Sequence, residues 1–554
     1  MGPAGVRAAP GWTALAQGRW EAARTAFADA LKDEESPESL EGLSWAAWWL
    51  DDADAVFDAR ERAYRLYRRR GDIACAARMA TWLAADHLDF HGAFAVANGW
   101  LQCARRLLQA VEPGPDHGWL AFHEGYIASI QGDVARSSEL ARSASELGRR
   151  FDVPELEMLG LALEGAVLVA SARVQEGMRR LDEATAAALE SEASIPISRA
   201  WACCFLVTAC EAVRDYRRAF EWCDRIVEFA ERYGSRYMLG FCRQHYAAVH
   251  MWRGQWQEAE AQFEAAIDAY SRSRPAFAGS VLAGLAELRR RQGRWNDAEQ
   301  LLDQATGDAV LVCRSRLARD RGDARRALAL AERALRQTPE HMIVQRAPTL
   351  EALIAAAADG GDWPRAHAAL TELSALARVV DTAPLRASVD LAQGILAAAT
   401  GDQEHARRLL EDAVDGFERS GAPFETAEAR LELSKSLTAL GRTIEAAEEA
   451  RIALERLREL GVSVEERQDR RRVGTAPHAT RQTPPIPEIS PRERDVLRCV
   501  AEGLTNRQIA ERLFVSEHTV HRHISSILRK LDLSTRTAAA AYALRAGLSG
   551  APGR

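Results

Sequence analysis

The 554-residue chain is too long for one hydrophobic core. With 47% hydrophobic and 27% charged residues, it has the composition of a water-soluble protein built as several domains or a repeat array. The sequence lacks any apolar run of about 18 residues and any signal-peptide-like N-terminus, so the expectation is a cytoplasmic protein without a membrane span. The net charge of −7 is uneven: residues 489–548 hold ten Lys/Arg against six Asp/Glu, whereas the first 464 residues sum to −13. An anionic partner is therefore expected at the tail. Nine scattered cysteines without a C-x-x-C pair suit buried packing in a reducing compartment.

The first long-range pattern is a repeat. Gly18-x-Trp20-x-x-Ala23-x-x-x-Phe27-x-x-Ala30 returns as Gly254-x-Trp256-x-x-Ala259-x-x-x-Phe263-x-x-Ala266, with weaker copies from Gly132, Gly293, Gly322, Gly361, Gly401 and Gly441. Degenerate copies near Val174 and Asp215 fill the interval at the same spacing. A glycine that ends one helix, an aromatic that plugs the turn, and Ala–large–Ala on one face describe helix–turn–helix units. Such a pair cannot bury its apolar face alone, so units stack into a solenoid. The string resembles tetratricopeptide repeats, although its period near 40 exceeds that family's ~34 and implies longer helices or loops. Trp45, Trp48 and Trp49 in WAAWWL read as core packing at helical spacing, with a ligand-stacking cage as the alternative. Alternating strand patterns are absent before residue 465, which argues against a receiver or nucleotide-binding domain.

The expected organisation is a helical repeat region over 1–464, a flexible linker over 465–488, and a DNA-binding domain over 489–550. From 462 to 488 apolar periodicity disappears and four prolines gather among charges, the composition of a tether; Arg470–Arg472 there can add nonspecific phosphate affinity. The tail then lays out four helices from their caps. Ser490, Pro491 and Glu493 open the first as a capping box, and Gly503 ends it. Thr505 with Gln508 opens the second. After the turn Phe514-Val515-Ser516, Ser516 caps the third, whose stripe is Val520, Ile524, Ile527, Leu528 and Leu531. Ser534 or Thr535 opens a fourth, alanine-rich helix ending near Gly547.

Two short helices across a tight turn, the second carrying His518, His521, Arg522, Ser525 and Arg529 on its polar face, have the pattern that presents a helix to the major groove. Arginine can pair bidentately with guanine, and histidine or serine can read base edges or phosphates. Thr505, Asn506 and the helix N-termini offer donors to phosphate, and Arg529 and Lys530 lie where phosphates pass. A metal reading of His518, His521 and His523 fails for want of a completing Cys or carboxylate.

The stretches SPRERDVL, EGLTNRQIAERLFVSEHTV and HRHISSILRKLDLSTRT, in this order over about 60 residues, closely resemble the LuxR-type (GerE-like) helix-turn-helix family. The resemblance implies Ser516 and Thr519 at the DNA backbone, and His521, Arg522 and Ser525 in base-facing slots. It also implies a dimer on DNA through the alanine-rich fourth helix. Many members carry Lys where this chain has His521, and often another at Ser525. Sequence preference therefore does not transfer, and a mild pH dependence of DNA affinity is expected from His521.

Large helical-repeat regulators of this type often carry a P-loop ATPase. This chain has only Lys32, Lys435 and Lys530, none in a G-x-x-x-x-G-K-[ST] string, and no convincing catalytic motif. The expectation is an all-α, bacterial, cytoplasmic transcription regulator that is not an enzyme and uses no cofactor or metal. It associates with the nucleoid when bound to double-stranded DNA, and a protein or small-molecule effector acts at the repeats. The rival reading is an interaction scaffold with only nonspecific DNA affinity.

Overall fold

The computed structural model describes residues 3–190, 196–234, 236–307, 309–340, 342–462, 491–530 and 536–545. Among them every regular element is helical, with one 3-10 turn at Val344–Arg346. The helices fall into two compact units, one through Thr443–Glu459 and the other from Pro491–Ala501. The expected linker, Ser490, Leu531, Ser534, Thr535 and Gly547 lie outside the described residues.

In the first unit, helix pairs open at Trp20, Ala53, Phe94, Val134, Val174, Tyr216, Trp256, Trp295, Ala324, Trp363 and Gln403, and Thr443–Glu459 follows the last pair. Several second helices begin on proline at their first turn (Pro37, Pro115, Pro154, Pro275, Pro423), where the missing N–H costs nothing. The long period has a simple cause: a unit such as Val134–Arg150 with Pro154–Ala170 uses two 17-residue helices. The shortest step, from Gly293 to Gly322, holds helices of only 10 and 12 residues, Trp295–Gln304 and Ala309–Asp320.

All eight glycines of the repeat string sit at φ between 71° and 90°, a backbone region that glycine enters without Cβ strain. There the chain closes the preceding helix with a Schellman bond, as from Arg19 N to Ala14 O (2.9 Å), Asp133 N to Ala128 O (2.8 Å) and Gln255 N to His250 O (2.9 Å). Three of the turns that open a helix pair do the same without glycine: Asp51 (φ 61°), Ala172 (65°) and Arg214 (61°). The last two explain why the copies near Val174 and Asp215 looked degenerate, since geometry persists where the marker residue is gone.

The signature side chains pack as their spacing implies. Trp20, Ala23, Phe27, Trp256, Ala259, Phe263 and Ala266 are all buried. Phe27 lies against the backbone of the next helix so closely that a Cβ on Gly42 would come within 2.2 Å of its ring, and Gly284 faces Phe263 in the same way at 2.6 Å. Trp45, Trp48 and Trp49 are buried too, Trp49 stacked on Trp20 with centroids 4.4 Å apart.

Contacts also join repeats far apart in sequence. Arg274 Nη1 donates to Asp51 Oδ1 at 2.9 Å across 223 residues. Arg214 clasps Glu351 at 2.7 Å and 2.8 Å, Trp252 Nε1 donates to Ser420 O at 3.2 Å, and Arg291 pairs with Glu425 at 2.8 Å. The turn at Gly254 rests on Pro423 and on Leu460, just beyond Thr443–Glu459. The array therefore winds tightly enough for its early and middle repeats to touch later ones.

Candidate nucleic-acid interface

The second unit is built from Pro491–Ala501, Asn506–Leu513, Glu517–Lys530 and Arg536–Arg545 around one core. That core includes Val496, Leu497, Val500, Ile509, Val520, Ile524, Ile527, Ala539 and Ala543. The starts of the second and third helices follow from local chemistry. Thr505 accepts from Gln508 N at 3.4 Å while Gln508 Oε1 accepts from Thr505 N at 2.8 Å, the reciprocal capping box. Asn506–Leu513 ends at Phe514, which takes a left-handed φ of 53° and is 95% exposed, and Val515 N returns to Ala510 O at 3.0 Å. Ser516 Oγ then accepts from Thr519 N at 3.1 Å and caps Glu517–Lys530.

This cap and the buried stripe of Val520, Ile524 and Ile527 fix which way the third helix faces. His521, Arg522 and Ser525 are all exposed, one helical step apart on the opposite side. Among the described residues no hydrogen bond or ion pair occupies the Arg522 guanidinium, so its fork of donors is available to an outside acceptor. Thr519 is half-buried, its Oγ1 2.8 Å from Ser516 Oγ. Arg529 occupies the helix's last turn, and its side chain, like that of His518, lies outside the described ones.

Three expected phosphate contacts prove to have intradomain partners. Lys530 Nζ donates to Glu493 Oε2 at 2.8 Å, and Ser526 Oγ donates to Glu493 Oε1 at 2.7 Å. A carboxylate read as a helix cap thus reaches across the core and fixes the third helix on the first. Asn506 Oδ1 accepts from Arg536 Nη1 at 2.6 Å, leaving its carboxamide N–H groups as donors. Thr505 Oγ1 donates to Gln508 Oε1 at 3.0 Å. Arg536 also donates to Leu504 O at 2.5 Å, tying the fourth helix to the approach of the second, and Arg492 donates to Leu513 O at 2.6 Å. Apart from the local Thr505–Gln508 bond, sequence spacing missed these clamps because each joins residues 21 to 37 apart through tertiary packing.

A short helix, a three-residue turn and a longer helix with a free polar face define a helix-turn-helix domain. Residues 487–543 match the family described as bacterial regulatory proteins, luxR family, and residues 241–307 match a tetratricopeptide repeat. The second unit is a LuxR-type helix-turn-helix domain, and the first is a tetratricopeptide-like helical array. The chain is 46% identical over 68 residues to the transcriptional regulatory protein LiaR of Bacillus subtilis (strain 168), covering 12% of this chain and 32% of that one. It is 48% identical over 60 residues to a nitrate/nitrite response regulator protein homolog of Haemophilus influenzae, covering 11% and 29%. It is 40% identical over 75 residues to the DNA-binding transcriptional activator DevR/DosR of Mycobacterium tuberculosis, covering 14% and 35%. The chain thus spans about a third of the length of these curated relatives.

Among the described residues no helix is long and apolar enough to cross a membrane.

Proposed function

We propose that this protein is a DNA-binding transcription regulator whose helical array acts as sensor or partner platform. The observation that carries the reading is the third helix of the tail: Val520, Ile524 and Ile527 are buried in the core, while His521, Arg522 and Ser525 face outward from a capped scaffold. That helix enters the major groove with these three side chains toward base edges. Ser516, Thr519 and the backbone N–H groups at the starts of the second and third helices meet phosphates. Thr505, Asn506, Arg529 and Lys530 flank the same face, and Lys530 reaches DNA only if it gives up Glu493. The helix Arg536–Arg545 pairs two copies on a two-fold site. The array occupies residues 1–464, the tether 465–488 and the domain 489–550. The protein works in the cytoplasm, at the nucleoid when bound, and changes transcription without catalysing a reaction.

The test is a gel-shift series of the full chain on genomic fragments it selects, against random competitor duplexes at rising salt. Preference for particular fragments persisting at 150 mM salt supports sequence-specific regulation; equal affinity for every duplex overturns it. Arg522→Ala is expected to weaken the preferred site by ~1–3 kcal/mol, about 5- to 150-fold, while random duplex changes far less. Footprints with unchanged occupancy for that variant remove Arg522 from base reading.

A further inference from the structure

Inside the array, away from the DNA-binding unit, two arginines are buried among aromatic rings. Arg60 is 1% exposed and lies over Trp45 at 4.6 Å and Trp82 at 5.6 Å. Its Nε donates to Ser44 Oγ at 3.2 Å. Its Nη1 approaches Asp86 Oδ2 at 2.9 Å without a hydrogen-bond alignment, and its Nη2 meets no acceptor among the described residues. Arg274 is fully buried, 3.5 Å over Phe90 and 4.9 Å from Trp48. One of its nitrogens serves Asp51 and Ser273 O, while Nε and Nη2 have no acceptor. Arg60 meets Asp86 and Arg274 lies on Phe90, one turn further along Ile73–His91, so the two side chains face one locus.

A buried guanidinium with unfilled donors costs several kcal/mol unless something accepts from it. Beyond the Arg60 Nη1–Asp86 Oδ2 ion pair, three nitrogens on two residues lack acceptors among the described residues, and the unfilled partner beside them is the imidazole Nε2 of His123. Donors exceed acceptors, which calls for an anion. The nearby carboxylates limit how much negative charge the locus tolerates, which disfavours a dianion such as phosphate. The rings favour a flat apolar body, since indole and phenyl faces stack on such groups.

We propose that the Arg60–Arg274 locus is an effector site for a small aromatic monocarboxylate, its carboxylate held between the two guanidinium groups and its ring among Trp45, Trp48, Trp82 and Phe90. The proposal rests on the reading of the array as a sensor. It also has a pH signature. Burial pushes Asp89 up to about 7 and Asp86 up to about 6, against the opposing pull of Arg60 and Arg274. Tyr126, Tyr237 and Cys204, which also face Asp89, are held neutral by burial, and burial takes His123 down to about 3, so it too stays uncharged. An arriving carboxylate repels ionised Asp89 and Asp86, so binding takes up protons and tightens as pH falls from 8 toward 6.

The experiment titrates the full chain with benzoate and indole-3-acetate, with benzamide and benzylamine as uncharged and cationic counterparts. Tryptophan fluorescence reads binding, because three indoles wall the site. The expected result is a saturable change with at least one carboxylate and at least tenfold weaker binding of benzamide. Affinity should rise at least threefold between pH 8 and pH 6. Arg274→Lys and Arg60→Lys, which keep the charge but lose the fork, are expected to weaken binding tenfold or more with helix content unchanged by circular dichroism. Preference for benzylamine, or no saturable change with either carboxylate, overturns the site. Binding that leaves the affinity for the selected DNA fragment unchanged overturns its role as effector. Loss of all DNA binding with ligand binding intact counts instead against the transcriptional reading.

Discussion

Replacing Glu287 with alanine is expected to destabilise the array by about 3–5 kcal/mol, because it strips the shared carboxylate from a buried group of arginines. Glu287 is paired with Arg290 at 2.8 Å and Arg291 at 3.1 Å, and Arg316 lies 3.5 Å away. Arg290 reaches on to Asp320 at 2.5 Å, and Arg291 to Glu425 at 2.8 Å. Burial alone would push the Glu287 carboxyl up, but the charges of Arg290, Arg316 and Arg291 and the hydrogen bond from Arg290 outweigh it and hold it well below the usual carboxylate range. A depressed folded-state pKa gives stability that is complete above the unfolded value of about 4.3 and disappears as pH falls through the folded one. Urea unfolding at pH 7 and again below pH 4 checks both parts. The variant should unfold at lower urea at neutral pH, and the gap should close only well below the ordinary carboxylate range. Equal midpoints at pH 7 would show that the arginines are satisfied without Glu287.

The second large effect is expected at Phe263. Its ring is 2% exposed and fills the space over Gly284. Phe263→Ala leaves a cavity that this rigid helix pair cannot close, at about 3–5 kcal/mol. In a linear solenoid such a lesion loosens only neighbouring units. Amide exchange should therefore speed up by two to three orders of magnitude in Trp256–Ser273 and Pro275–Arg291, given ~1.4 kcal/mol per tenfold. It should also rise in Pro423–Ala439, since that helix meets the damaged pair through Arg291–Glu425 and Gly254–Pro423. A rise confined to the first two helices would mean that the long-range contacts carry little energy.

Much of this was legible in the residues. The eight glycines at the turns, the Ala–Phe–Ala faces, the caps at Thr505 and Ser516 and the stripe Val520–Ile524–Ile527 are local signals, set within one or two helical turns. Two kinds of feature were not. Turns at Asp51, Ala172 and Arg214 adopt the glycine geometry without glycine, so the unit opening at Ala53 went unread and those at Val174 and Tyr216 read only as degenerate copies. Partners such as Asp51 with Arg274 or Glu493 with Lys530 are set by how helices stack, and no periodicity within either segment encodes them. The same blindness hid the Arg60–Arg274 locus: WAAWWL read as packing, and packing it is, but around charges supplied by helices elsewhere in the chain.

The seating of Gly254 against Leu460 has a consequence for how such a protein can change over time. Open solenoids lengthen or shorten by whole units, since each needs only a neighbour of the right shape. Here the turn that opens at Gly254 must meet, five units later, the residue that ends Thr443–Glu459. Duplicating or deleting a unit between them would carry that meeting point away by one helix pair. Repeat number in this half of the array is thus set by geometric closure, and variation should enter as changes in helix length, as in the short pair Trp295–Gln304 and Ala309–Asp320.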